Sequence, residues 1–327
     1  GGIAYEIARW AFQCGYKVSG VVYNLEKKIA ETIVANTSDD IERFKGSKYL
    51  QSNSASCFRS IVNSAKENSD EKYVIFGTPC QITGMKKVFQ ENQLTNELLA
   101  IDLFCHGVPS YIVWEKYLDW LQVKHNVSNA TSVTFRSKII GWHDFTMEIR
   151  SHDSQYCRSS EYDMFYKAFF DNILLNTACR RCLVRKTFSM ADIRLGDFWG
   201  GRYQNNQEGI SAVLVLSEQG YSVIRKLAGK KSIRIMDKTS VDECISNQSV
   251  HDYKYDEVHT HALRMLKTHT SLPDIIKEYR MHLPLGYRIR VLLKEMTAYM
   301  PNSVRAKIRL LYRNGANKRT QRDDKSI

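Results

Sequence analysis

The stretch YVIFGTPCQITGMKKVFQ, residues 73–90, decides the fold class. Tyr73, Val74, Ile75 and Phe76 form a short apolar run, the pattern of a buried strand. Gly77-Thr78-Pro79-Cys80 then punctuates the chain, and residues 82–90 read as a helix. The same order returns further on: a strand over 98–104, a turn Cys105-His106-Gly107-Val108-Pro109-Ser110, and an amphipathic helix over 111–124. Strands that feed helices through tight turns are the signature of an α/β domain. Both turns carry a cysteine, and ligands in open α/β sheets gather at the carboxyl ends of strands.

Upstream, a helix ends near Cys14-Gly15 and extended runs follow at 17–23 and 29–34. A helix start is expected at Thr37 or Ser38, with Glu42 in its first turns, and another helix over 57–67. Downstream the pattern shifts toward β, with strands at 132–136 and 145–150 separated by Gly141-Trp142. A long aromatic helix is expected over 162–175, ahead of Cys179. After Trp199 come a strand at 212–216, a helix at 219–227 and a strand at 232–235. The expected fold is α/β, a mixed-sheet domain with a β-rich insertion and a C-terminal helical tail. Residues 1–201 form the main module, 202–282 complete the same domain, and 283–327 form a basic amphipathic tail.

At 327 residues, 43% of them hydrophobic and 25% charged, the chain has the composition of a folded globular protein rather than a disordered one. The sequence lacks a signal pattern and any apolar run near the roughly 20 residues that span a bilayer, so a cytoplasmic protein is expected. It opens at Gly1-Gly2-Ile3 without methionine, as a sequence does when its start has been cut away. The net charge of +12 suggests an anionic partner until it is located. Residues 277–327 hold 13 Lys and Arg against 4 Asp and Glu, which leaves only +3 for the preceding 276. A nucleic-acid face needs clustered cations on the folded body, so no nucleic-acid partner is expected. In the tail, Ile289, Leu292, Leu293 and Met296 lie at helical spacing among cations. Such a stripe suits peripheral contact with an anionic membrane, or equally a helix packed on its own domain.

Eight cysteines in a long chain with no secretion signal point to metal or redox chemistry before disulfides. The sharpest pair is Cys179-Arg180-Arg181-Cys182, because two intervening residues let both thiolates converge on one metal, among cations that favour the thiolate form. Cys80 and Cys105, in their glycine- and proline-bordered turns, are the best further ligands. Cys14, Cys57, Cys157 and Cys244 lie in regular segments and are expected to pack. Four thiolates suit zinc or an iron-sulfur cluster equally well. Gly77-Thr78 could offer backbone amides to a phosphate, and Gly46-Ser47-Lys48-Tyr49-Leu50-Gln51-Ser52 could hold a planar, phosphate-bearing cofactor. His106 is a candidate acid, base or ligand, and Asp197 a candidate to orient a substrate; each could instead be a hydrogen-bonded structural residue.

Taken in order, the initial GG, GSKYLQS, FGTPCQITGMK, DLFCHGVPS, FRSKIIGW, CRRC and DIRLGDFWG resemble the coenzyme F-420 hydrogenase and dehydrogenase beta-subunit family, over residues 1–201. The resemblance implies a flavin-binding oxidoreductase carrying FAD and a [4Fe-4S] cluster. Its electrons would pass between a small-molecule hydride donor or acceptor and a ferredoxin-like domain or protein. Carried over by motif, Cys80, Cys105, Cys179 and Cys182 are the cluster ligands, while Gly1, Gly2, Ser47, Lys48, Gln51, Gly77 and Thr78 surround the flavin. His106 and Asp197 are the candidate catalytic residues. Relatives also include bacterial proteins associated with surface-polysaccharide gene clusters. The rival is therefore a zinc-stabilised, non-redox accessory of surface-polysaccharide biosynthesis, docked through its basic tail.

Overall fold

The computed structural model describes residues 2–296, apart from 145, 187–189, 200, 204, 247, 249 and 254. Gly1 and the tail beyond Met296 lie outside the described residues. Helix α1 (Gly2–Gln13) leads into β1 (Lys17–Asn24), which pairs antiparallel with β2 (Ile29–Val34). Helices α2 (Ser38–Arg43) and α3 (Ala55–Glu67) return the chain to β3 (Tyr73–Phe76). Helix α4 (Pro79–Glu91), strand β4 (Leu98–Leu103) and helix α5 (Tyr111–His125) repeat the unit. A separate antiparallel sheet follows, β5 (Ser132–Ser137), β6 (Thr146–Arg150) and β7 (Gln155–Ser159). Then come α6 (Met164–Phe170), α7 (Thr177–Arg180), β8 (Ile193–Asp197) and β9 (Ser211–Val215). Helices α8 (Glu218–Gly229), α9 (Val241–Ile245), α10 (Glu257–Leu266), α11 (Leu272–Met281) and α12 (Leu285–Met296) finish the described chain.

The main sheet has the order β2-β1-β3-β4-β8-β9. Its four central strands are parallel and both edge strands antiparallel. Helices cover both faces, so β3 and β4 read as continuous apolar runs instead of alternating ones. Val74, Leu99 and Ile101 pack toward α1 and α8, while Tyr73, Ile75 and Ala100 pack toward α3 and α4. Each such aliphatic side chain contributes about 1.5–3 kcal/mol on burial. A further core joins α5, the three-stranded sheet, α6, α10 and α11 around Trp114, Tyr117, Phe135 and Phe165. There Asp163 is fully buried, yet satisfied by the hydroxyls of Tyr117 (2.6 Å) and Tyr156 (3.0 Å) and by the Tyr166 N–H (3.0 Å).

Two expected elements differ. The helix expected over 162–175 is shorter: Asp163 caps α6, and Asn172, at φ +57, turns the chain so that the Ile173 N–H closes on the Ala168 carbonyl. Asparagine tolerates that left-handed conformation and ends helices in this way. The strand expected over 232–235 is not formed: Lys231, at φ +56, ends the α8 turn, and Ile233 packs on the core without a ladder partner, leaving Ile235 exposed. Strand β7 was not anticipated; its sequence QYCRS has no apolar alternation and pairs only because β6 offers an edge. Cys57 and Cys244 are buried as expected of packing thiols, whereas Cys14 and Cys157 are exposed, which corrects the expectation for those two. Among the described residues, no helix is long and apolar enough to cross a membrane.

Candidate functional site

Strands β3 and β4 deliver their turns side by side, because they pair in register and the Gly77 N–H donates to the Ile101 carbonyl (3.1 Å). Thr78 caps α4: its N–H and its hydroxyl both donate to Gln81 Oε1, each at 3.0 Å. Pro79 follows at the first helical position, where its missing N–H costs nothing. This places the exposed Cys80 in the first turn of α4, with its Sγ 3.1 Å from the Thr78 hydroxyl oxygen.

The turn after β4 is zipped onto the segment that precedes the CxxC. Asn176 N–H donates to the Val108 carbonyl (2.9 Å), and Pro109 bridges Leu175. Gly107, at φ +124, lies so close to the opposite chain that a Cβ would stand 3.2 Å from Cys179 Cβ. Cys105 and Cys179 are thereby brought together from loops more than seventy residues apart. Burial pushes the Cys105 thiol up to about 12, and the charges of Cys179 and Cys80 add to the rise. Burial also raises Cys179, followed by Cys80 and Cys182. Neighbouring cysteine charges thus add to burial in holding the Cys105 and Cys179 thiols protonated. Among the described residues, however, no three His, Cys, Asp or Glu side chains converge as a metal-binding group. The donor set fits an iron-sulfur or zinc centre chemically, as four free thiols on three neighbouring segments.

Arg185, three residues beyond the CxxC, ties these segments by their backbones. Its Nε donates to the Cys105 carbonyl (3.3 Å), Nη1 to His251 (2.9 Å), and Nη2 to His106 (3.3 Å) and to the Cys179 carbonyl. Behind it, Arg194 of β8 forms a buried bidentate pair with Asp102 of β4 (2.7 and 2.5 Å). An Asp inside the apolar run LLAIDLF and an Arg inside DIRLGD were the available signals, since a charge in a buried strand requires a partner.

His106 sits among aromatic rings, 4.8 Å from Phe169 and 5.0 Å from Tyr253, with Nδ1 3.1 Å from the Tyr253 hydroxyl. Burial pushes its imidazole down to about 4, so the ring is neutral at physiological pH. Asp197 ends β8 with both oxygens engaged: Oδ2 with Arg136 Nη1 (2.7 Å) and Oδ1 with the Trp142 indole N–H (3.2 Å). Arg136 also donates to the Tyr49 hydroxyl (3.3 Å) and lies over Trp199, which stacks on Trp142 at 5.1 Å and 8°. The carboxylate thus fastens the small sheet to the main one.

Of the residues expected around a flavin, those of the GSKYLQS loop contact the cysteine-bearing part of the chain at two points. Gln51 Oε1 accepts from Asn176 Nδ2 (3.0 Å), and Gln81 Nε2 donates to the hydroxyls of Ser52 (2.9 Å) and Ser54 (3.2 Å). The GSKYLQS loop is therefore bonded to two of the three cysteine-bearing segments, those of Cys80 and Cys179. Ser47 is exposed. Lys48 donates to the carbonyls of Arg43 (2.8 Å) and Lys45 (2.9 Å), and burial with the Arg43 charge pushes its ammonium down to about 7. Gly2 starts α1 at φ +59, where a Cβ would meet the Ser211 hydroxyl at 3.0 Å. The side-chain groups of Lys48, Gln51 and Thr78 are each paired within the chain.

A family model for the C-terminal region of the coenzyme F420 hydrogenase/dehydrogenase beta subunit matches residues 70–241. The match includes all four cysteines and leaves GG and GSKYLQS upstream of it. The chain is also similar to a chain of the F420-reducing [NiFe] hydrogenase complex from Methanosarcina barkeri. The two are 18% identical, with 86% of this chain and 84% of that one covered and a TM-score of 0.49. No curated protein matches the sequence.

Proposed function

This chain belongs to the coenzyme F420 hydrogenase/dehydrogenase beta-subunit family, and on that premise we propose that it is a flavin- and [4Fe-4S]-dependent oxidoreductase. It would pass electrons between a small hydride-carrying molecule and an iron-sulfur protein partner. The observation that carries this reading is the hydrogen bonding of the GSKYLQS loop to two of the three cysteine-bearing segments, at Asn176 and at Gln81. Cys80, Cys105, Cys179 and Cys182 would hold the cluster, and Gly1, Gly2, Ser47, Lys48, Gln51, Gly77 and Thr78 the flavin. When bound, FAD supplies hydride exchange and the cluster supplies single-electron transfer, chemistry that belongs to the cofactors. The chain's own work is to position them. His106, kept neutral by burial and held at Nδ1 by the Tyr253 hydroxyl, would face the bound group as a neutral imidazole able to donate or accept one hydrogen bond. Asp197 would hold Arg136 against Trp199 and so shape the substrate side. Anaerobic purification followed by iron, sulfide, zinc and flavin analysis tests the reading. About four irons and one flavin per chain are expected, and a colourless, zinc-loaded protein without flavin would overturn it.

One observation favours the rival, a zinc-stabilised accessory docked through its C-terminal helices. Leu285, Ile289, Leu292 and Met296 of α12 lie on one helical face and are all exposed, in a segment rich in cations. That face suits an anionic bilayer. Sedimentation with anionic but not neutral vesicles, by a protein holding zinc alone, would support it over the redox reading.

A further inference from the structure

Arg185 is 3% exposed, and among the described residues it is in no ion pair. Among the described residues its hydrogen bonds go to backbone carbonyls, those of Cys105, His106, Cys179 and His251, and its guanidinium lies 4.5 Å from the Tyr253 ring centre. Arg180, inside the CxxC, is equally buried and likewise in no ion pair among the described residues; it donates to the Ile173 carbonyl (3.1 Å) and covers the Tyr255 ring at 4.1 Å. Asp252 and Asp256 act on Arg185 and Arg180 only through space, and a buried cation with no carboxylate in contact is costly in a protein interior. Both stand beside the segment that carries Cys179 and Cys182. The exposed cation of the same segment, Arg181, faces water.

We propose that Arg185 is the positioning residue and counter-charge of the cysteine centre. This rests on the iron-sulfur reading above. Its planar fork fixes Cys105 and Cys179 by their carbonyls, so two ligands from distant parts of the chain keep one spacing. Its charge offsets that of a thiolate-bound cluster, which is anionic and becomes more so when it takes up an electron. A buried cation beside such a cluster would favour its reduced form, because little solvent screens it.

The test uses the full chain, purified anaerobically as wild type, Arg185→Gln, Arg185→Lys and Arg181→Gln. The readouts are iron content, midpoint potential by mediated titration, and the rate of iron loss to a chelator. Arg185→Gln is expected to shift the potential to more negative values and to lose iron faster. Arg185→Lys, which keeps the charge but not the fork, should hold its potential near wild type and lose iron several-fold faster. Arg181→Gln should match wild type in both. An Arg185→Gln potential equal to wild type, or an equal shift in Arg181→Gln, overturns the proposal. Should the Gln variant fail to fold, Arg185→Lys decides, and iron loss at the wild-type rate overturns it. A wild-type protein that binds no iron defeats the cluster reading first, and a loaded wild type with unaffected Arg185 variants defeats this inference alone.

Discussion

Asp102 and Arg194 face each other at paired positions of the neighbouring parallel strands β4 and β8, in a bidentate ion pair removed from water. The pair lies immediately before the Cys105 turn, and Arg194 also reaches the Arg185 carbonyl (3.4 Å), so it braces the strand ends on which the cysteine loops stand. Removing one partner leaves a buried charge uncompensated. Asp102→Ala is expected to cost about 3–5 kcal/mol in urea unfolding, with part of the loss regained in the Asp102→Leu, Arg194→Met double variant. A single variant as stable as wild type would show that the pair is solvated in solution.

Gly107 is constrained by conformation and by space. At φ +124, with Cys179 Cβ 3.2 Å from where its own Cβ would be, Gly107→Ala must move the turn. The expected cost is about 1–3 kcal/mol, accompanied by reduced metal content. Chemical denaturation and metal analysis check it, against Gly84→Ala in α4, where an added methyl meets nothing within 4 Å.

Burial raises Asp163 to about 6, above its ordinary range. The folded state therefore binds the proton more tightly than the unfolded chain. The associated stability is complete at pH below the ordinary carboxylate range and is lost as pH rises through about 6. Asp163→Asn keeps an oxygen to cap α6 and carries no charge. Relative to wild type it should gain stability between pH 4 and pH 8, by roughly 3 kcal/mol at most. Melting curves across that range check it, and a difference independent of pH would mean that Asp163 does not titrate on folding.

The cysteines divide into two groups. Cys80→Ser, Cys105→Ser, Cys179→Ser and Cys182→Ser should each remove most of the bound metal. Cys14→Ser and Cys157→Ser, both at exposed positions, should leave it unchanged. Elemental analysis separates the groups, and metal loss in Cys157→Ser alone would place the metal on the small sheet instead.

What could be read along the chain was whatever local chemistry decides. Strands β3 and β4 were legible because burial on both faces demands unbroken apolar runs, and their turns because glycine, proline and a capping threonine act within a few residues. The cysteine turns at the strand ends followed from the same signals. Tertiary structure decided the rest, through partners distant in sequence. It ended α6 at Asn172, denied residues 232–235 a ladder partner, and gave β7 one. It spent Asp197 on Arg136, a residue of the other sheet. It also turned Arg185 from one cation among several into the clamp across Cys105 and Cys179, because a guanidinium takes its role from the carbonyls that folding brings within reach.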